Sequence, residues 1–245
     1  MTSERVLAEA RLHAALGDPH RLLIAEALAD GDASPNRLGH DLGLASNLMA
    51  HHVSVLVDAG VITRSRSEAD RRRVYLSLTP RGRAVLSPRL GQPHQVLFVC
   101  THNSARSQFA EALWRSRSPI PASSAGTQPA RRVHPMARRV AKSRGLDLRS
   151  APRELDVAEA DDSLVVTVCD HADEELAGVE HVHWSVPDPA ASGDIDRFEA
   201  AFDQRSSTLA RSLVFVMIPM LALGSLLLAA VVRGLQHLVG EVAST

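Results

Sequence analysis

The stretch Val96–Gln108, VLFVCTHNSARSQ, decides the fold of the second half of this chain. Its first four residues, Val96–Val99, are all apolar, which is typical of a buried parallel strand. Cys100 follows the strand directly, and Arg106 and Ser107 come after a five-residue spacer. A loop of this kind between a strand and a helix predicts a cradle for a tetrahedral oxyanion, because its N–H groups and the helix N-terminus point at the anion.

The loop also predicts a nucleophile beside the anion. Arg106 can hold two oxygens of the anion in a fork, and the same positive field favours the thiolate of Cys100, which is the nucleophilic form. A helical pattern begins at Gln108. The residues predicted to line the oxyanion site are Thr101, His102, Asn103, Ser104, Ala105, Arg106 and Ser107. The loop therefore predicts an enzyme, a substrate class and a first covalent step.

Length and composition restrict the other possibilities. The 245 residues suffice for two modest domains, and the net charge of −1 gives no global field toward nucleic acid, so only local basic clusters can indicate it. Two cysteines, Cys100 and Cys169, do not make a disulfide scaffold. The charged start MTSERVLAEARLH is no secretory signal. We therefore expect a cytoplasmic, reducing location.

Composition divides the chain into four segments. Residues 1–86 are predicted to be helical with one strand pair, and residues 87–93 form a linker rich in Pro and Gly. Residues 94–210 alternate strands with helices, which predicts an α/β domain with a parallel sheet, and residues 211–245 form a hydrophobic tail. The predicted strands of the α/β domain are Val96–Val99, Ala122–Ser124, Ser163–Val168 and His181–His183.

The N-terminal segment has the pattern of a helix-turn-helix. Asp18 is predicted to cap one helix, and Asn36–Leu42 forms a short second helix. Ser46 is predicted to cap a third helix, which runs to about Asp58 and stops at Gly60. A β-hairpin with arginines on both strands and at its tip follows, in the position of a wing.

This segment resembles the ArsR-type winged-helix repressors through ALGDPHRLLIAEAL, LGLASNLMAHHVSVLVDAGVI and RRRVYLSLT. The resemblance implies a homodimer that binds double-stranded DNA, with the helix Ser46–Asp58 in the major groove. The alternative for the arginines is a solvated hairpin. The implied DNA-contacting residues are Ser46, Asn47, His51 and His52 on the helix and Arg64, Arg66, Arg71, Arg72 and Arg73 on the wing.

The N-terminal segment departs from many such repressors because it contains no cysteine, which excludes a soft-metal thiolate site within it. Its histidines offer a set of ligands for a borderline metal, but surface or DNA-facing positions are the favoured interpretation. We therefore predict no bound metal. The histidines concerned are His13, His20, His40, His51 and His52.

Residues 94–210 resemble the low-molecular-weight tyrosine phosphatase fold and, within it, the arsenate reductases. Gln108 stands where the phosphatases usually have Pro, and Asp188-Pro189-Ala190 replaces their usual Asp-Pro-Tyr. The stretches SLVVTVCDHADEEL, SSAGTQP and VHPMA fit the same branch. The resemblance implies that Cys100 attacks arsenate, that Arg106 stabilises its oxygens, and that Asp188 is the general acid.

Cys169 stands where the arsenate reductases have a resolving cysteine, but Leu176 occupies the place of the third cysteine of the thioredoxin-coupled enzymes. Two routes remain open. A Cys100–Cys169 disulfide is reduced by an external redoxin, thioredoxin or mycoredoxin, or a small thiol such as mycothiol attacks the arsenic adduct. On the second route Cys169 is a buried, inert residue. The reductant is external on both routes, and no bound cofactor is expected.

The tail contains a run without charge, SLVFVMIPMLALGSLLLAAVV, at residues 212–232. Its length suits a membrane helix whose N-terminal side faces the cytoplasm. A buried or dimer-forming helix and a tail of aberrant origin are the alternatives. For the whole chain, two further functions remain open: a protein tyrosine phosphatase joined to a DNA-binding domain, and a non-enzymatic regulator that responds to oxyanions.

Overall fold

The computed structural model describes most of the chain up to Asp188. The described residues are 2–86, 93–176, 178–188, 196, 199–200 and 203. The predicted linker, apart from Pro93, and the tail with its apolar run at 212–232 lie outside them. None of the helices in these ranges is long and apolar enough to cross a membrane.

The N-terminal half contains the expected helices and hairpin. The elements are α1 (Thr2–Leu16), α2 (Pro19–Asp30), α3 (Pro35–Asp41), α4 (Ser46–Asp58), β1 (Ile62–Arg66), β2 (Val74–Leu78) and α5 (Pro80–Val85). The carboxylate of Asp18 accepts the backbone N–H of Arg21 at 3.0 Å, so the predicted cap of α2 is confirmed. The prediction for Ser46 is wrong, because Ser46 is already helical and Ala45 is the N-cap, without a side-chain hydrogen bond.

The hairpin packs on the helices through one face. β1 and β2 are antiparallel, with Ile62 opposite Leu78 and Arg66 opposite Val74. The arginines of β1 are exposed, whereas β2 is buried from Tyr75 onward. The core beneath the hairpin is aliphatic and includes Leu12, Ile24, Leu28, Met49, Leu56 and Leu76. Burial of this apolar area, worth about 25 cal/mol per Å², holds the hairpin against α2 and α4.

The second half is a parallel α/β layer, as the alternation of strands and helices predicts. Its elements are β3 (Val96–Cys100), α6 (Arg106–Arg117), β4 (Ala122–Gly126), α7 (Pro135–Ser143), α8 (Val157–Asp161), β5 (Leu164–Thr167), α9 (Asp170–Glu175) and β6 (Val182–His183). The described strands lie in the order β4-β3-β5-β6, all parallel. α6 begins at Arg106, two residues before the predicted start at Gln108.

The central strand β3 positions Cys100, its last residue. Every residue of β3 is buried, in keeping with a strand covered on both faces. The ring of Phe98 lies 5.9 Å from the rings of both Trp114 and Trp184. Cys100 therefore ends β3 on a rigid base, at the carboxyl edge of the sheet where loops of parallel sheets bind ligands.

The two halves pack closely against each other within one compact unit, Met1–Leu209. The amide of Asp32 donates to the carbonyl of His183 at 2.7 Å, and the indole of Trp184 donates to the carbonyl of Asp30 at 3.3 Å. Between them, Gly31 lies so close to β6 that an added Cβ would stand 2.6 Å from Val182 Cγ1. Two separate cores thus meet across a polar junction.

Candidate active site

The loop after β3 is held from outside by the chain that follows β4. The backbone N–H groups of Thr127, Gln128, Ala130 and His134 donate to the carbonyls of four loop residues at 2.8–3.2 Å; the accepting residues are Cys100, Thr101, His102 and Ser104. Because C=O and N–H point in opposite directions across a trans peptide, the N–H groups of the same peptides point away from this outer chain: that of Asn103 donates to Cys100 Sγ and that of Thr101 to Cys169 Sγ. The first turn of α6 adds further unpaired N–H groups there.

The sulfur of Cys100 lies among donors. The backbone N–H of Asn103 donates to Sγ at 3.3 Å, and the hydroxyl of Ser107 lies 3.1 Å from it. Cys100 is only 4% exposed, so its sulfur faces the loop's interior and not bulk water. One backbone N–H and one hydroxyl therefore contact the sulfur, close to the N-terminus of α6.

Asn103 holds the loop in shape through its backbone conformation and its side-chain hydrogen bonds. Its backbone has φ +46°, a left-handed conformation that asparagine tolerates better than most residues. Its side-chain amide donates to the hydroxyls of Ser107 at 2.8 Å and Ser124 at 3.0 Å, and its amide oxygen accepts the backbone N–H of Arg153 at 3.0 Å. The side chain is completely buried, so this network fixes the loop's curvature.

Arg106 projects from the first turn of α6 between two carboxylates. Its Nη1 is 3.0 Å from Oε2 of Glu68, and its Nη2 is 3.6 Å from Oδ2 of Asp188. Burial lowers the pKa of Arg106, but electrostatic interactions with Cys169, Asp188, Cys100 and Glu68 outweigh burial and raise that pKa. The guanidinium is therefore a permanent cation at the site.

Cys169 contacts the backbone of Thr101, the residue after Cys100. Its Sγ accepts the backbone N–H of Thr101 at 3.3 Å and that of Ala172 at 3.4 Å, so it also caps α9. Burial and the neighbouring Cys100 raise the pKa of Cys169, while Arg106 and its hydrogen bonds act in the opposite direction. Both cysteines are free thiols.

The structure brings the four predicted catalytic residues into one neighbourhood. Arg106 lies 3.6 Å from Asp188 and interacts electrostatically with Cys100 and Cys169. The predicted lining residues differ in access, since His102 is exposed while Thr101, Asn103, Ala105 and Ser107 are buried. Gln108 closes the loop from inside, with its amide donating to the carbonyl of Asn103 at 2.8 Å.

Of the histidines predicted to face DNA, His52 does not. It is 5% exposed and its ring stacks on that of His20 at 5.4 Å, because its position on α4 faces α2 and not the solvent. His51 is exposed, as are Ser46 and Asn47. Asp18, His20 and His52 place one potential ligand atom each within 4.8 Å of one another. The expectation of no bound metal stays a prediction.

The wing arginines are exposed, but Arg72 and Arg73 lie in ion pairs. Arg72 forms two hydrogen bonds with the carboxylate of Asp70, at 2.9 and 3.0 Å, and Arg73 lies 3.8 Å from Glu174 of α9. Arg64, Arg66 and Arg71 are exposed at the surface. The predicted DNA contacts of Arg72 and Arg73 therefore require these pairs to open.

Sequence reasoning missed the residues that join the wing to the catalytic half. Glu68 reaches Arg106, and its backbone N–H donates to Asp170 at 2.6 Å. The hydroxyl of Tyr75 donates to Asp173 at 2.5 Å. One signal was visible in the sequence: the acidic run DHADEE opposes an arginine-rich hairpin, and the charges are complementary.

A buried thiol at the carboxyl end of a parallel strand, wrapped by inward N–H groups and faced by an arginine, defines a cysteine-dependent enzyme that acts on tetrahedral oxyanions. Residues 95–214 match the family model described as low molecular weight phosphotyrosine protein phosphatase. An arsenate reductase from Brevibacillus brevis is 38% identical over 106 residues, which cover 39% of this chain and 76% of that protein. The chain therefore belongs to the family of this relative and is an enzyme of the arsenate reductase type.

Two solved structures are similar to parts of the chain. The arsenate reductase from Archaeoglobus fulgidus is 29% identical, with a TM-score of 0.38 over 48% of this chain and 98% of its own. HlyU from Vibrio cholerae is 20% identical, with a TM-score of 0.31 over 34% of this chain and 85% of its own. The family assignment rests on the sequence matches and not on these two likenesses.

Proposed function

We propose that the protein reduces arsenate to arsenite through a covalent adduct on Cys100, with an external thiol as the source of electrons. The observation that carries this proposal is the setting of Cys100, whose sulfur meets the N–H of Asn103 and the hydroxyl of Ser107 at the mouth of a loop that also presents Arg106. Arsenate has the shape and charge that this loop accommodates.

In the first step the thiolate of Cys100 attacks arsenic and forms an S–As bond. The As–O bond opposite breaks, and the departing hydroxyl takes a proton from Asp188 and leaves as water. Arg106 and the loop N–H groups stabilise the remaining oxygens, where charge develops. The arsenic is still As(V) at this stage, so a second thiol must supply the reducing sulfur.

In the second step a thiolate attacks the sulfur of Cys100. The S–As electron pair stays with arsenic, so that arsenite leaves as As(III) and a disulfide forms. Cys169 is the intramolecular candidate. Burial and, next, the neighbouring Cys100 raise the pKa of Cys169, whereas Arg106 acts in the opposite direction.

Arsenate turnover tests the proposal when thioredoxin, mycoredoxin and mycothiol are supplied separately. Arsenite should form with at least one donor, and Cys100→Ser should abolish it. Cys169→Ser decides the route, because activity that survives with a small thiol would exclude the internal disulfide. Phosphotyrosine peptides are assayed alongside, and efficient ester hydrolysis without arsenite formation would favour the tyrosine phosphatase alternative.

We further propose that the N-terminal half binds double-stranded DNA as part of a transcriptional regulator. The exposed arginines Arg64, Arg66 and Arg71 beside α4 support this proposal. Replacing Arg64 and Arg66 with Ala should weaken DNA binding and reduce the slope of log K against log salt by about one per arginine. Arg131→Ala and Arg132→Ala, on the catalytic half, serve as controls; equal slopes in all variants would contradict the proposal.

Two further properties follow as proposals from the same assignment. A homodimer through the N-terminal half is supported by α1, where Val6 and Leu7 are 56% and 55% exposed. Sedimentation of wild type and of Val6→Glu tests it, and a monomeric wild type would refute it. We also propose a membrane contact by residues 212–232, which full recovery of intact chain without detergent would exclude.

A further inference from the structure

The tip of the wing, residues 67–73 between β1 and β2, docks onto the catalytic half at several points. The hydroxyl of Ser67 donates to Glu174 at 2.9 Å, and the backbone N–H of Glu68 donates to Asp170 at 2.6 Å. These two contacts bring the side chain of Glu68 over the catalytic loop, where its carboxylate lies 3.0 Å from Nη1 of Arg106.

The carboxylate of Glu68 occupies a position beside Arg106 where an oxyanion would bind. Both terminal nitrogens of Arg106 face carboxylates, Glu68 at 3.0 Å and Asp188 at 3.6 Å. An anion that binds the guanidinium in a fork requires two N–H groups pointing the same way. An anion on the edge formed by Nη1 and Nη2 must displace at least one carboxylate, and otherwise it meets like charge at short range.

Of the two carboxylates, Glu68 is the easier to displace. Its side chain is 56% exposed, against 32% for Asp188, so water screens its ion pair with Arg106 more strongly and the pair is weaker. Asp188 is moreover the proposed general acid, which must stay beside the anion. The ion pair between Glu68 and Arg106 is therefore the contact that substrate would break.

We propose that Glu68 acts as a competing ligand from the wing, so that an oxyanion in the loop displaces its carboxylate from Arg106 and loosens the docked wing tip. This inference rests on the proposed role of the loop as an oxyanion site. It assigns Glu68 a function in both affinity and regulation: it weakens oxyanion binding, and its release reports occupancy of the loop to the N-terminal half.

Linkage makes the two effects reciprocal. The free energy needed to displace Glu68 from Arg106 equals the free energy by which the docked wing weakens anion binding. A variant that cannot make the ion pair should bind oxyanions more tightly, and its wing tip should no longer respond to them. Simple charge removal predicts tighter binding too, so the two causes need separate variants.

Calorimetric titration of the full-length protein with inorganic phosphate, which binds without being reduced, measures the first effect. Glu68→Gln removes the charge, whereas Glu68→Asp keeps the charge but shortens the side chain by one methylene, which weakens the contact with Arg106. Competition predicts about fivefold tighter phosphate binding or more in both variants, within the usual range of coupling between sites. Glu4→Gln, an exposed residue of α1, is the control for net charge.

Wild-type affinity in Glu68→Asp would overturn the proposal, because charge alone would then explain Glu68→Gln. Wild-type affinity in both variants would overturn it as well, while phosphate binding itself would leave the reductase proposal standing. An absence of phosphate binding in every variant would refute both proposals together.

Amide hydrogen exchange of residues 67–70 measures the second effect. Phosphate should accelerate exchange in the wild type, including that of the Glu68 N–H bonded to Asp170. In Glu68→Gln the exchange should already be fast and should not respond to phosphate. Unchanged exchange in the wild type at saturating phosphate would contradict the release of the wing tip.

Discussion

The catalytic loop and the wing tip meet at Arg106, but they are held by different kinds of contact. The loop is buried and closed on itself, with Asn103 satisfied by three hydrogen bonds and no exposed surface. The wing tip is attached through polar side chains at the surface, such as Ser67 to Glu174. The loop is therefore the rigid region, and the wing tip is the region that we propose can detach. Substitutions in the two regions should have effects of different size and kind.

The largest effect is expected where the loop tolerates no added atom. A Cβ at Gly126 would stand 2.8 Å from the carbonyl oxygen of Thr101 and 3.0 Å from the amide of Asn103, both backbone atoms. Gly126→Ala should therefore lower the free energy of unfolding by about 3 kcal/mol or more and abolish arsenate reduction. Gly178→Ala, where no atom lies within 4 Å, is the matched control. Denaturant unfolding measures the stability, and arsenate turnover measures the activity. Wild-type stability and full activity in Gly126→Ala would contradict the rigidity of the loop.

The loop's polar network should give the next largest effect. Asn103→Ala removes three hydrogen bonds and leaves buried partners at Ser107 and Ser124. The expected loss is about 2–3 kcal/mol of unfolding free energy, because buried polar groups left unpaired cost their desolvation. Asn103→Gly separates causes, since glycine relieves the φ of +46° but restores no hydrogen bond. If the glycine variant matches wild type in stability and turnover, the loop depends on the left-handed backbone conformation at residue 103 and not on the hydrogen-bond network of the side chain.

The same difference explains what the sequence could and could not predict. The loop is contiguous, so the spacing of Cys100, Arg106 and Ser107 and the apolar run before them were enough to predict a strand, a cradle and a nucleophile. Asp188 and Cys169 required a family resemblance, since each comes from a distant part of the chain. The docking of the wing joins Glu68 to Asp170 across 102 residues, and no local pattern specifies such a pair.

The two wrong details in the N-terminal half have the same origin. Whether Ser46 or Ala45 caps α4 depends on backbone angles at one residue, which composition does not specify. His52 was predicted to face DNA, but its orientation depends on how α4 packs on α2, a tertiary contact. Patterns along the chain therefore predict helices and strands well, but they predict poorly which way a single polar side chain points.

The junction between the halves should be weaker than the loop. In Gly31→Ala the new Cβ would meet Val182 Cγ1 at 2.6 Å and the carbonyl oxygen of His183 at 2.8 Å. Because the clash falls between two separate cores, we expect about 2 kcal/mol of destabilisation. Calorimetry should resolve two unfolding transitions where the wild type shows one, while phosphate binding by the loop persists or strengthens. A single transition with unchanged midpoint would show that the junction adapts without cost.

The smallest effect concerns the hydrogen bond that joins β2 of the hairpin to α9. Burial would raise the pKa of Asp173, but hydrogen bonds from His181 and Tyr75 and the charge of His183 hold that pKa at about 2. A carboxyl whose pKa is lowered on folding stabilises the protein above its ordinary pKa near 3.8 and loses that contribution as pH falls toward 2. Tyr75→Phe removes one donor, so it should cost about 1 kcal/mol at neutral pH and lose less stability between pH 4 and pH 2 than the wild type. Urea unfolding of both proteins across this range measures the difference. Because the loop's own contacts are untouched, arsenate reduction at neutral pH should be unchanged, and a parallel loss of turnover would mean that the junction supports the catalytic loop as well as the wing.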